Sequence, residues 1–266
     1  MSELETAMKK LRRKAFGGDW PLDADLTAIG ARYPSHRFLQ NPSGQYPLLY
    51  LTHFVKLAAE QHFQKSFGTL SLLDWGCGKG HITKLIGDLK PGELTSCDIV
   101  SDWGDSAFGQ DVPIHQQFGI SVVPLVHEST LPFTNDSFDI VLSFGVLEHV
   151  ANDKASLREI ARVLKPQGLF FCFHLPTRFS WTQFVARRQG DNYHNRLYTP
   201  HMLKRLLSEN NMRILDMWYR SLLPKNRISI PSFRAFERFD QIATEYTPMR
   251  YLATNLEFVA SMEVKT

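Results

Sequence analysis

Apolar positions along this chain follow two periods. Short apolar runs occupy 70–73 (LSLL), 94–97 (LTSC), 120–126 (ISVVPLV), 138–144 (FDIVLSF), 169–174 (LFFCFH), 212–219 (MRILDMWY) and 256–262 (LEFVASM). Their lengths, with the β-branched and aromatic residues in them, read as seven strands. Pro124 leaves the end of the third run open, since proline cannot donate to a ladder. Between the runs, apolar residues return at helical spacing. They are Leu51, Phe54, Val55, Ala58 and Phe63 within 47–67; Ile82, Leu85, Ile86 and Leu89; and Leu157, Ile160, Ala161 and Leu164. Thr199 and Pro200 form an N-cap and first-turn pair for a helix over 200–209. Pro91-Gly92 and Pro166-Gln167-Gly168 stop helices, and Gly104, Gly109 and Pro113 leave room for no more than a short one over 100–119. Strand and helix alternate from 70 to 175. That pattern predicts an α/β chain with a doubly wound, mostly parallel seven-stranded sheet and helices on both faces.

Residues 1–45 read as an N-terminal extension and 46–266 as the sheet domain. The extension begins with a basic lead, Met8-Lys9-Lys10-Leu11-Arg12-Arg13-Lys14, expected as a solvated helix, with peripheral membrane contact as the alternative. Two additions decorate the domain. The polar and aromatic stretch 176–200 reads as a lid or substrate loop. The stretch 223–250, with Pro224, Pro231 and Pro248 among many aromatics, reads as a small cap insertion.

The sharpest local signal is LSLLDWGCGKGHIT (70–83): a strand ending in Asp74, glycines at 76, 78 and 80, then helix-compatible sequence. Such glycines let the backbone turn tightly and approach a ligand, and the helix start that follows offers free N–H groups to an anionic moiety. On the residues alone two readings stay open. A dinucleotide turn, Gly-x-Gly-x-x-Gly/Ala, finds Gly76 and Gly78, with Asp98 at the usual spacing of about 20 residues, but has His81 where a small residue belongs. A turn of the form Asp/Glu-x-Gly-x-Gly-x-Gly is met without strain by Asp74-Trp75-Gly76-Cys77-Gly78-Lys79-Gly80.

Later segments favour the second reading. LPFTNDSFDIVLSFGVLEHV (131–150) and REIARVLKPQGLFF (158–171) closely resemble the corresponding run of type 11 class I S-adenosylmethionine (SAM)-dependent methyltransferases, the UbiE/UbiG-like group. The resemblance covers about 70–175 and implies the Rossmann-like class I methyltransferase fold, with SAM as cofactor. It implies further that Asp74, Gly76, Cys77 and Gly78, with Trp75 in the same turn, hold the methionine end of SAM. Asp98 would take the ribose hydroxyls, and Ile99 would lie against the adenine. Where relatives carry Asp-Ala to meet the adenine edge, this chain has His127-Glu128, so a backbone contact from Glu128 is expected and the role of His127 is open. Phe144 and Gly145 would lie under the reacting sulfonium.

Methyl transfer from a sulfonium is an in-line displacement, so positioning and exclusion of water dominate its catalysis. A hydroxyl acceptor adds a base. His149 in the LEHV segment, His174 closing the fifth strand and His194 are the candidates. Arg178, Tyr193, Arg196 and Tyr198 are candidate substrate contacts, the arginines being suited to phosphate or carboxylate. No Asn/Asp-Pro-Pro-Tyr/Phe turn follows the fourth strand, and no Pro-Cys pair occurs, which argues against exocyclic-amine and pyrimidine-C5 chemistry. The expected reaction is O-methylation of a small-molecule, glycan or lipid-linked acceptor. A loose resemblance of the tail to methyltransferases of surface-polysaccharide pathways favours a sugar. A quinone-like ring is the alternative acceptor, and a non-catalytic SAM-binding accessory protein is the alternative class.

Composition adds three exclusions. Lys+Arg 30 against Asp+Glu 27 gives a net charge of +3, too little to argue for nucleic acid. Cys77, Cys97 and Cys172 are scattered without CxxC or Cys/His spacing, so neither disulfides nor a metal site are expected. No signal peptide is visible and no apolar run reaches the roughly 18 residues of a membrane span, so a cytoplasmic protein is expected. Oligomeric state is left open.

Overall fold

The computed structural model describes residues 2–32, 39–99, 113–190, 194, 196–223 and 233–263. Seven strands form one sheet: β1 (Ser71–Trp75), β2 (Glu93–Asp98), β3 (Val122–Pro124), β4 (Phe138–Phe144), β5 (Leu164–Pro176), β6 (Met212–Arg220) and β7 (Asn255–Met262). Their order is β3-β2-β1-β4-β5-β7-β6. β7 runs antiparallel to β5 and β6, and every other pair is parallel. The C-terminal ends of the other six strands therefore share one edge. The winding reverses between β1 and β4, the place where open α/β sheets form a ligand crevice.

Around the sheet lie α1 (Glu3–Phe16), α2 (Ala24–Arg32), α3 (Pro42–Phe63), α4 (His81–Asp88), α5 (Ile114–Gln117), α6 (Asp153–Val163), α7 (Trp181–Arg188), α8 (Pro200–Ser208) and α9 (Phe233–Tyr246). Alternation along the strands sends side chains to two apolar cores. Leu72, Ile140 and Phe171 join Phe54 and Ile86 on one face. Leu73, Val141 and Phe170 join Leu157 and Leu203 on the other. The architecture is the Rossmann-like α/β fold that the alternating pattern predicts. Local caps follow the sequence as well: the Thr199 hydroxyl accepts the Met202 N–H at 3.3 Å, and Asn152 accepts that of Ala155 at 3.1 Å.

Four expectations are corrected. The helix expected over 47–67 begins at Pro42, because the Asn41 side chain caps it through the Gly44 N–H at 2.8 Å. The boundary drawn at 45/46 thus falls inside α3. β5 begins at Leu164, five residues before the apolar run, and a register shift between Phe138 and Ile140 absorbs the Pro166-Gln167-Gly168 turn. The basic lead is not merely solvated: Met8, Arg12, Ala15 and Phe16 of α1 are buried. Arg12 donates to Asp216 on β6 at 2.6 Å and lies 4.7 Å from the Trp218 ring, so its charge is neutralised within the protein. The stretch expected as a cap holds α9, which packs on α3 and β6, while 224–232 lies outside the described residues. Among the described residues, no helix is long and apolar enough to cross a membrane.

Candidate functional site

β1 delivers Asp74 to the crevice edge, and the glycine turn follows. Gly76 has φ +73, and a Cβ there would lie 2.5 Å from Val146, so only glycine fits between the turn and the segment after β4. Gly78 has φ +53 and open space where a Cβ would stand, which is the exposed backbone a ligand could approach. The turn is pinned to β2. The N–H groups of Gly76 and Cys77 donate to Cys97 O at 2.9 and 3.2 Å. Asp98 accepts the Gly78 N–H at 2.5 Å with one oxygen and the Ile99 N–H at 2.6 Å with the other. Asp74 is almost fully buried and accepts the Thr83 hydroxyl at 2.6 Å. Burial outweighs that bond and, with the neighbouring Asp98 charge, pushes the Asp74 carboxyl up to about 7.

Other expected cofactor residues divide by environment. The Trp75 ring is buried in the apolar core below β1, which removes it from the ligand side. Ile99 is partly buried against the same core. Glu128 accepts the Ala151 N–H with its side chain, and its carbonyl accepts the Ser156 hydroxyl at 3.3 Å. It ties the loop after β3 to the turn before α6, so its side chain is committed there. His127 is exposed beside it.

At the end of β4, Gly145 has φ +69 and its N–H donates to Phe173 O at 2.9 Å. A Cβ on Gly145 would lie 3.5 Å from Glu148 Oε1 and 3.8 Å from His174 Cβ, so these three residues meet at one point. Phe144 packs between Phe173, at 4.7 Å between centroids, and His174, at 5.6 Å. His174 has φ +68, where the β5–β7 register shifts. Its N–H donates to Glu257 Oε2 at 2.6 Å, and Glu257 Oε1 accepts from Arg220 Nε at 2.6 Å. Burial, with Arg220 nearby, holds the His174 imidazole well below its usual range, so the ring is neutral. Burial works against the Arg220 charge too, but Glu257 and its acidic neighbours outweigh it, and the guanidinium is held above its usual range.

Sequence reasoning passed over Glu148. It is 2% exposed, its Oε2 has no hydrogen-bond partner, and burial pushes its carboxyl up to about 8. Its signal was an acidic residue beside His149 in a turn otherwise made of Gly145, Val146, Leu147 and Val150. His149 is half-buried, which lowers its pKa, and its Nε2 lies 3.8 Å from Glu148 Oε1. The His149 and His194 rings are 5.5 Å apart, and His194 Nδ1 pairs with Gln183 Nε2 at 2.9 Å. One ligand atom from each of Glu148, His149 and His194 lies within 4.8 Å of the others, a grouping that a divalent cation could use and that no sequence spacing announced.

The expected substrate residues are placed differently. Arg196 donates to the carbonyls of Val150 at 2.9 Å, Ala151 at 3.1 Å and Leu147 at 3.4 Å. Tyr198 is fully buried and donates to Leu147 O at 3.0 Å. Both clamp the turn that carries Glu148 and His149, and they are corrected from substrate contacts to scaffolding. Arg178 is exposed, and its backbone N–H donates to Tyr198 O at 3.0 Å. Tyr193 lies outside the described residues. Phe179, Trp181 and Phe184 are exposed; Trp181 donates to Leu222 O at 2.5 Å, and Arg188 lies 4.4 Å from the Phe184 ring.

Residues 73–172 match the family described as Methyltransferase domain. The chain is 28% identical over 204 residues to ubiquinone biosynthesis O-methyltransferase of Bartonella bacilliformis, covering 69% of this chain and 75% of that protein. The Bartonella tribocorum protein of the same name is 27% identical, with 63% of its length covered. Arginine-hydroxylase NDUFAF5 of Rattus norvegicus is 33% identical over 98 residues, but only 26% of it is covered. Among solved structures, a putative sarcosine dimethylglycine methyltransferase from Galdieria sulphuraria aligns with TM-score 0.55 at 15% identity, over 81% of this chain and 86% of that one. The [4+2]-cyclase SpnF aligns with TM-score 0.53 at 20% identity, over 82% and 81%. At these identities the two structures show a shared fold, and that fold serves more than one chemistry.

Proposed function

We propose that this chain acts as a class I SAM-dependent methyltransferase and that it methylates a hydroxyl on an aromatic ring. The carrying observation is the point where Gly145, Glu148 and His174 meet, one strand over from the glycine turn. The residues of the turn fit the cofactor. The open backbone at Gly78 and the buried carboxyl of Asp74 would receive its methionine end, and Asp98 its ribose. When bound, SAM supplies an electrophilic methyl group. Gly145, lacking a side chain, leaves room for the acceptor oxygen to approach in line, and the rings of Phe144 and Phe173 would exclude water behind it.

His149 is placed to take the acceptor proton. Burial keeps its imidazole neutral near pH 7, and the clamp of Arg196 and Tyr198 fixes the turn that holds it. With the Gln183 amide donating to Nδ1, the proton of His194 sits on Nε2, where it can donate to the same oxygen. His174 shapes the floor through its contact with Phe144 and is a positioning residue in this scheme.

The acceptor class rests on two supports. Arg196 and Tyr198, expected as polar substrate contacts, are bound to backbone carbonyls, whereas Phe179 is an exposed apolar ring. Ubiquinone biosynthesis O-methyltransferases are among the relatives. Among the described candidates, the exposed Arg178 favours a sugar acceptor.

Titration with S-adenosylhomocysteine tests the cofactor site: binding by the wild type, weakened at least tenfold in Asp98→Ala and abolished in Gly78→Val, is expected. Turnover of catechol-type and sugar acceptors then tests the acceptor. His149→Ala should lower kcat and leave S-adenosylhomocysteine affinity intact. Turnover of sugars alone would overturn the aromatic assignment.

A further inference from the structure

α9 is built inside out. Its inward face is polar: Glu237 accepts the Tyr50 hydroxyl at 2.6 Å, and Asp240 accepts the backbone N–H groups of Ser221 and Leu223 at 3.1 Å each. Glu237, Asp240 and Thr244 are all buried. Its outward stripe is apolar: Phe239, Ile242 and Tyr246 recur at helical spacing and are each more than half exposed. The turn that follows, Pro248–Leu252, extends the stripe with exposed Met249, Tyr251 and Leu252. A solvated helix places these side chains the other way round, so the outward face of α9 is suited to a non-aqueous neighbour.

Cations surround that face. Arg13 of α1 lies 5.6 Å from the Tyr246 ring and donates to its hydroxyl at 2.8 Å. Arg250 lies 5.2 Å from the Tyr251 ring, and exposed Arg238 adjoins Phe239. Lys10 and Lys14 are exposed on α1 near Arg13. The adjoining acid on α9 is Glu245, which is engaged by Lys9, Arg12 and Arg13. We propose that the outward face of α9, with the exposed face of α1, docks on an anionic lipid bilayer. Apolar side chains would enter the headgroup boundary while arginine and lysine meet lipid phosphates. A second copy of this chain on the same face would oppose like charges, which disfavours self-association there. β6 ends at the crevice edge and α9 is bound to that end, so docking brings the crevice edge to the lipid surface. The inference does not depend on the acceptor assigned above.

Co-sedimentation with vesicles decides it. The wild type should pellet with vesicles of equal parts phosphatidylglycerol and phosphatidylcholine, far less with phosphatidylcholine alone, and less as salt rises. Phe239→Ser combined with Ile242→Ser should lose at least tenfold in partitioning, with melting temperature and S-adenosylhomocysteine affinity unchanged, and Arg238→Glu should lose severalfold. If the serine pair melts early, Phe239→Ala with Ile242→Ala carries the same expectation. A wild type that ignores anionic vesicles, or a serine pair that pellets like the wild type, overturns the proposal. So does a wild-type dimer in sedimentation equilibrium that the serine pair disperses, since the face would then belong to a second copy.

Discussion

Glu257 on β7 accepts the backbone N–H of His174 on β5 at 2.6 Å, using the oxygen that Arg220 leaves open. A single carboxylate thus joins a residue in a left-handed conformation to a buried guanidinium on β6, and the crevice edge of three strands depends on it. Glu257→Gln keeps an acceptor for His174 but removes the main charge that compensates Arg220 in the core. The expected loss is about 3–5 kcal/mol in urea denaturation. Replacing both partners, Glu257→Leu with Arg220→Met, should be less damaging than the single change, which a double-mutant cycle reads directly.

The Asp74 carboxyl makes cofactor affinity depend on pH. In the free protein it titrates near 7, well above an ordinary aspartate. If it pairs with the ammonium of SAM, binding requires the ionised form, so affinity is full above pH 7 and falls by about tenfold per pH unit below it. Titration of S-adenosylhomocysteine from pH 8 to pH 5 checks this. Asp74→Asn should bind weakly and show a flat profile over the same range.

Glu148 carries the same signature into stability. Its folded carboxyl titrates near 8, above its unfolded value of 4.5. Between those pH values the unfolded chain holds fewer protons than the folded one, so this residue lowers stability as pH rises from about 4.5 to 8 and has no further effect above. The difference in unfolding free energy between the wild type and Glu148→Gln should move by a few kcal/mol across that window, in favour of the glutamine at high pH. A constant difference would mean that Glu148 ionises normally.

Arg196 and Tyr198 should behave as scaffolding. Tyr198→Phe removes the bond to Leu147 O and should cost about 1 kcal/mol of stability. KM for the acceptor should stay near the wild-type value, while kcat falls as the 147–151 turn loosens. A rise in KM with stability unchanged would return these side chains to the substrate.

The legible parts of the sequence were those with local causes. β4 occupies 138–144, as its apolar run predicts, because both its faces meet a core. The glycine turn was readable because backbone geometry and side-chain absence are the same fact there. What escaped depended on partners distant in the chain. Arg12 looked like a solvated cation, since Asp216 stands 204 residues away. Tyr198 resembled a binding-loop aromatic because Leu147 O, 51 residues earlier, gave no sign in the sequence. α9 escaped for another reason: its polar residues face inward and its aromatics outward, so the prolines and aromatics of 223–250 read as a cap insertion.

All three cysteines of the chain are buried free thiols, and one of them, Cys77, sits inside the glycine turn. Burial pushes the thiols of Cys77, Cys97 and Cys172 upward, that of Cys97 to about 12. A thiolate is the form that attacks an alkylating agent. An enzyme that binds a reactive methyl sulfonium must survive its own reagent, and here the three thiols are kept protonated at neutral pH. The burial that packs the sheet thus also keeps its thiols in their less nucleophilic form.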